Sequence, residues 1–100
     1  MELSVVVPIL NEQENILELH KRLSKTLNTL TEAYEIIAID DGSTDDSFSI
    51  LKEIQQQDSH LRIIKLRRNF GQHPATFAGF ENSKGEIVIS IDADLQNDPS

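Results

Sequence analysis

The chain has 100 residues, 38% hydrophobic and 26% charged, with a formal net charge of −8 and no cysteine. That length holds one domain, the composition is globular rather than disordered, and the missing thiols exclude disulfides and thiolate metal sites. The acidity argues against general nucleic-acid binding, and no apolar run approaches the roughly 18 residues that cross a membrane.

The amino terminus has an acidic second residue and no basic region, unlike a secretory leader, and the lack of cysteine fits a cytosolic setting. Charge is unevenly spread. Residues 1–50 carry ten acids against three bases, residues 51–100 seven against six, and four of the nine bases fall within Arg62–Arg68. A phosphate-bearing ligand would therefore be met by a metal ion or by a small basic patch.

The first predicted strand is "LSVVVPIL" (3–10), a continuous apolar run rich in β-branched residues. Pro8 ends it, because proline cannot donate to a sheet ladder. Asn11 and Glu14 have the spacing of a capping pair. They would open a helix over 12–31, with Ile16, Leu19, Leu23, Leu27 and Leu30 on one face. Glu12 lies on the same loop and has no such structural account.

"YEIIAID" (34–40) is the second strand. The "DDGSTDDS" after it is ordinary turn-and-cap chemistry for Asp45 and Asp46, with Ser43 or Thr44 capping a helix over 44–57. Gly42 permits a tight turn with φ > 0. Asp40 and Asp41 are functional candidates, since a carboxylate at a strand end can accept the imide N–H of a uracil or a sugar hydroxyl.

The third strand is "LRIIKL" (61–66). Lys65, Arg67 and Arg68 follow as candidate phosphate contacts or as solvated edge charges, whereas Arg62 and Lys84 read as surface residues. A helix over 72–83 presents Ala75, Ala78 and Gly79 as a small-residue face able to approach a sheet closely. His73 is read as structural, and Gly85 as the stop of this helix.

"EIVISID" (86–92) is the fourth strand, and "DADLQ" completes its end. Alternate residues of an extended strand share a face, so Asp92 and Asp94 would point the same way and repel unless a cation or proton intervenes. Hard divalent cations such as Mg²⁺ or Mn²⁺ take oxygen ligands of this kind, and Gln96 could add a carbonyl oxygen. The competing account is that these acids cap a following turn.

Strand and helix thus alternate as β-α-β-α-β-α-β. The fold class expected is α/β, a Rossmann-like parallel sheet in the order 3-2-1-4 with helices on both faces. Ligands of such sheets bind outside the carboxyl ends of the strands. Those ends carry Pro8–Glu12, Asp40–Thr44, Arg67–Gly71 and Asp92–Gln96.

Taken together and in this order, "VVVPILNEQENI", "AIDDGSTDDS", "NFGQHPATFAGF" and "DADLQN" resemble the motifs of glycosyltransferase family 2 on the GT-A fold. The polyprenyl-phosphate glycosyltransferases are the branch most similar. The resemblance spans essentially the whole chain. It implies an enzyme that transfers a sugar from a nucleotide-sugar donor to a polyprenyl phosphate, with Mg²⁺ or Mn²⁺ as cofactor. Pro8, Asn11, Glu12, Asp40 and Asp41 would hold base and ribose, Asp92, Ala93 and Asp94 would lie against the nucleotide, and Asp92, Asp94 and Gln96 would bind the metal.

One departure is that Asp98 stands where family members often have proline. The resemblance also implies that residues 1–100 are the amino-terminal, nucleotide-sugar-binding part of a longer enzyme. The catalytic groups of the acceptor half would then lie elsewhere, the parent would sit at the cytoplasmic face of a membrane, and the isolated part would be inactive and prone to self-association. Two alternatives stand beside this reading. One is a non-catalytic nucleotide-binding fragment. The other is a different α/β class, either a haloacid-dehalogenase-type phosphatase or a response-regulator receiver. Both of these place their acidic motif after the first strand, where this chain has "PILNEQ".

Overall fold

The computed structural model describes residues 1–93. Four strands, β1 (Leu3–Ile9), β2 (Tyr34–Asp40), β3 (Leu61–Lys65) and β4 (Ile87–Ser90), alternate with three helices, α1 (Ile16–Leu30), α2 (Ser47–Gln57) and α3 (Gln72–Asn82). The strands form one parallel sheet in the order β3-β2-β1-β4. The expected strand order is the observed one; β4 lies parallel to β1, with Leu3 beside Ile87 and Val6 beside Ser90.

The apolar runs are explained by where they sit. β2 is flanked by β1 and β3 and every one of its residues is buried. A parallel strand covered on both faces needs apolar side chains on both, so period-two alternation disappears. Val5, Val7, Ile9, Ile36 and Ala38 pack on one face with Ile16, Leu19 and Leu27 of α1 and Leu51 and Ile54 of α2. Val6, Ile37 and Ile39 pack on the other with Ala75 of α3.

The small-residue face of α3 is a packing requirement. A Cβ on Gly79 would collide with Val6 and come within 2.8 Å of the Ile39 Cδ1. The two phenylalanines of this helix turn outward instead, Phe77 being 61% exposed. β4 is the thinly covered strand. Val88 packs against the α3 face, but Ile87, 62% exposed, and Ile89 lie beyond the reach of α1 and α2.

Four local expectations are corrected. Pro8 does not end β1, which pairs with β2 through Pro8 to Ile9. Helix α1 starts at Ile16 rather than near residue 12, and its N-cap is Asn15. Asn11 and Glu14 are therefore not its capping pair. The N-cap of α2 is Asp46, with no side-chain capping bond, rather than Ser43 or Thr44. α3 ends at Asn82 with Ser83 as its C-cap, while the Gly85 N–H donates to Ser4 Oγ at 2.8 Å.

Arg62 is also more than a surface residue. It donates to the Glu35 carboxylate at 2.8 Å, and Glu35 is 2% exposed. Glu35 further accepts from Ser4 Oγ at 2.5 Å and from the Lys84 N–H at 2.7 Å. Burial raises its pKa, but these three donors and the Arg62 charge outweigh burial, and the net shift is downward.

Asp58 has a similar balance between helix α2 and strand β3. Burial is again the largest influence and raises its pKa. It is outweighed by His20 at 2.6 Å and by the N–H and ring of His60, each at 3.0 Å, so the net shift is downward. Both clusters lie toward the amino-terminal end of the sheet, opposite the site described next.

Candidate functional site

An open cleft of about 400 Å³ lies at the carboxyl end of the sheet. All four strand ends contribute to it: Pro8 and Ile9 at the end of β1 with Leu10 and Glu12 after it, Asp41 after β2, Asn69 and Gly71 between β3 and α3 with Gln72 opening α3, and Asp92 and Ala93 after β4. The order β3-β2-β1-β4 makes the boundary between β1 and β4 the switch point of the sheet, where successive connections run to opposite sides. Two neighbouring loops diverge there and leave a crevice that open α/β sheets use for ligands.

The walls of the cleft are tied together by side chains. Asn11 has φ 52°, a left-handed conformation that asparagine tolerates. Its Oδ1 accepts from the Thr44 N–H at 2.8 Å and the Asp45 N–H at 3.3 Å. In return, the N–H groups of Asn11 and Glu12 donate to Ser43 Oγ and Ser47 Oγ, both at 3.0 Å. Gln13 and Asp45 complete the exchange: the Gln13 N–H donates to Asp45 Oδ2 and the Asp46 N–H to Gln13 Oε1. The loop after β1 and the loop after β2 therefore satisfy each other's free donors, which is why α1 begins a turn late.

Asp40 and Asp41 divide their work. Asp40 is 0% exposed, and its Oδ1 accepts the Ser43 N–H at 2.9 Å. Its Oδ2 is buried with no partner among the described residues. Asp41, 3% exposed, accepts the Phe70 N–H at 2.8 Å and the Gly71 N–H at 3.0 Å, and so holds the loop that leads into α3. Gly42, at φ 78°, lies under this loop; a Cβ there would sit 2.5 Å from the Asn69 nitrogen.

Asp92 reaches the cleft from the end of β4, and its Oδ1 accepts from the Gln72 Nε2 at 2.9 Å. Among the residues expected at the site, Pro8, Glu12, Asp41, Asp92 and Ala93 come together on one cleft. Asn11 and Asp40 are outside its lining, tied into the loops that shape it. Asp94 and Gln96 lie outside the described residues.

Asn69, Gly71 and Gln72 are cleft residues that the sequence reading did not single out. The signal available was their place after a strand end, within "NFGQH". Two of the candidate phosphate contacts are engaged locally. Lys65 Nζ lies 4.3 Å from the Phe48 ring centre and the Arg68 guanidinium 4.9 Å from that of Phe70. His73 is exposed in the first turn of α3.

The sheet and its helices define an α/β domain of the Rossmann-like class, with a carboxylate-bearing cleft at the switch point where open sheets of this class take ligands. Comparison with known proteins narrows the class. Residues 4–100 match the model of the family described as "Glycosyl transferase family 2", and the chain belongs to that family.

It is 48% identical over 99 residues to the undecaprenyl-phosphate 4-deoxy-4-formamido-L-arabinose transferase of Salmonella choleraesuis (strain SC-B67). The match takes in 98% of this chain and 30% of that one. The chain thus spans under a third of the length of such relatives. Among solved structures, it resembles Staphylococcus aureus TarS 1–349 in complex with UDP. The TM-score is 0.80 and the identity 27%, over 94% of this chain and 28% of TarS.

It also resembles the glucosyl-3-phosphoglycerate synthase of Mycobacterium tuberculosis, in complex with Mn²⁺, UDP and phosphoglyceric acid. There the TM-score is 0.69 and the identity 30%, over 93% and 33% of the two chains. The sheet order and these neighbours establish the Rossmann-like α/β architecture of GT-A glycosyltransferases.

Proposed function

We propose that residues 1–100 are the donor-binding part of a metal-dependent glycosyltransferase that moves a sugar from a nucleotide-sugar to a polyprenyl phosphate. The single observation that carries this is the cleft itself. Carboxylates from the ends of β1, β2 and β4 open on one concave surface at the switch point of the sheet, in a chain of this family. The 48% identity to a transferase named for undecaprenyl phosphate supports the lipid acceptor.

In this reading Pro8, Glu12 and Asp41 flank base and ribose, and Asn11 and Asp40 hold the loops that carry them. Asp92 and Ala93 lie against the nucleotide. Asp92, Asp94 and Gln96 hold the divalent cation, Mg²⁺ or Mn²⁺. The donor chemistry fits such an ion, because Asp92 brings an exposed carboxylate to the cleft and hard cations take oxygen ligands. When bound, the ion supplies charge stabilisation for the departing nucleoside diphosphate. The lipid phosphate needs little activation as a nucleophile, since its second pKa is about 6.

No helix of the described residues is long and apolar enough to cross a membrane. A site at the cytoplasmic face of the membrane accords with a lipid phosphate as acceptor.

Calorimetric titration with UDP, GDP and CDP, each with and without Mn²⁺, tests the proposal. Binding of one nucleotide that requires Mn²⁺, and that is lost in Asp94→Asn with the melting temperature unchanged, is the expected result. Absence of binding to all three in the parent chain would refute it.

A further inference from the structure

We propose that Gln72 is a positioning residue for the metal site, holding the Asp92 carboxylate in the orientation that meets the cation. The inference rests on the donor-site reading above and deepens it. Its starting point is the bond from Gln72 Nε2 to Asp92 Oδ1, at 2.9 Å, which joins the first residue of α3 to the end of β4 across the cleft.

The donor is anchored. Gly71, the residue before it, gives its N–H to Asp41 Oδ2 at 3.0 Å and to Asn69 Oδ1 at 2.9 Å. The Gly71 carbonyl accepts the N–H of Ala75, which is fully buried against the sheet. The residue before Gln72 is therefore held at both its N–H and its carbonyl, and α3 starts from that fixed point. The Gln72 side chain is exposed, so the bond to Asp92 decides where it points. An anchored path runs from β2 through Asp41, the 69–71 loop and Gln72 to Asp92.

The chemistry of the donor matters. A carboxylate on an exposed strand end rotates freely about its last torsion. An amide N–H fixes one oxygen and leaves the other for a cation. Being neutral, it does so without cancelling the charge that the cation needs. A lysine or arginine in this position would compete with the metal. Such outer partners of metal ligands fix ligand orientation, and their loss commonly weakens metal binding about 10–100-fold.

The test compares the parent with Gln72→Met, which keeps the length of the side chain and removes the donor. Calorimetry with Mn²⁺ and whichever of UDP, GDP or CDP the parent binds should show affinity lowered about 10–100-fold, with an unchanged melting temperature. The Mn²⁺ electron paramagnetic resonance spectrum of the bound ion should change as well. In the metal-free protein, Asp92→Asn should shift the side-chain amide signal of Gln72 in a ¹⁵N correlation spectrum.

Binding by Gln72→Met within about twofold of the parent overturns the inference, given the magnitude usual for such partners. A Gln72 signal indifferent to Asp92→Asn overturns it too. If the parent itself binds no nucleotide with Mn²⁺, the donor-site reading falls and the inference with it. That failure appears in the parent titration, before any variant is made.

Discussion

Asp41→Ala should cost far more than its place on a ligand cleft suggests, because the carboxylate is a structural acceptor as well. It takes the Phe70 N–H at 2.8 Å and the Gly71 N–H at 3.0 Å. Hydrogen bonds to a charged group contribute about 1.5–3 kcal/mol each, so losing two would cost about 3–6 kcal/mol. Two effects reduce that figure. Gly71 has a second acceptor in Asn69 Oδ1 at 2.9 Å, and removing a buried charge beside Asp40 recovers part of its desolvation. A loss of about 2–3 kcal/mol remains, or roughly 10–20 °C in melting temperature for a chain of this size.

Asn69→Ala alone should cost under about 1 kcal/mol, since Asp41 still receives the Gly71 N–H. The double variant orphans that N–H, so its cost should exceed the sum of the two by about 1 kcal/mol or more. Urea unfolding of the four chains measures this coupling. Additivity within about 0.5 kcal/mol would refute the account of the loop, as would an Asp41→Ala chain as stable as the parent.

Gly79→Val should destabilise by more than about 3 kcal/mol, because the added atoms collide with Val6 and Ile39 and α3 cannot stay seated; a melting temperature near that of the parent would show that the helix is not held so close. For Glu35 and Asp58 the folded pKa lies below the unfolded one. Their contribution is therefore complete above the ordinary carboxylate range and is lost as pH falls through the folded values. Unfolding measured from pH 7 down to about 3 should show Glu35→Gln less stable than the parent at neutral pH, with the gap closing below about pH 4. A gap that stays constant throughout would contradict the assigned shift. The uncovered Ile87 and Ile89 on β4 should drive self-association, seen by sedimentation and reduced by Ile89→Lys; a strictly monomeric parent would refute it. If residues 1–100 are the donor-binding part, as proposed, a labelled-sugar assay with polyprenyl phosphate should detect no transfer by them alone, since positioning of the acceptor is worth roughly 7–11 kcal/mol of such barriers; transfer by the isolated chain would overturn that proposal.

The sequence by itself determined the architecture. Four apolar runs separated by helical patterns admit few arrangements, because parallel strands must be buried on both faces and crossovers are right-handed. It also determined where the chemistry collects, since strand ends in such a sheet converge at one edge, and Pro8, Glu12, Asp41, Asp92 and Ala93 do share a cleft there. What it left undecided is which polar side chain serves which partner. Asn11 has the spacing of a cap for its own helix, yet it bonds to Thr44 and Asp45, 33 and 34 residues away. Arg62 looks like any surface base until β2 brings the buried Glu35 beside it. Gln72 meets Asp92, and Asp41 meets Gly71, only once α3 and the loop before it are seated on the sheet. Apolar burial is non-directional and leaves its periodicity in the sequence. A hydrogen bond depends on a few tenths of an ångström and on angle, and that geometry exists only when distant segments have been brought together.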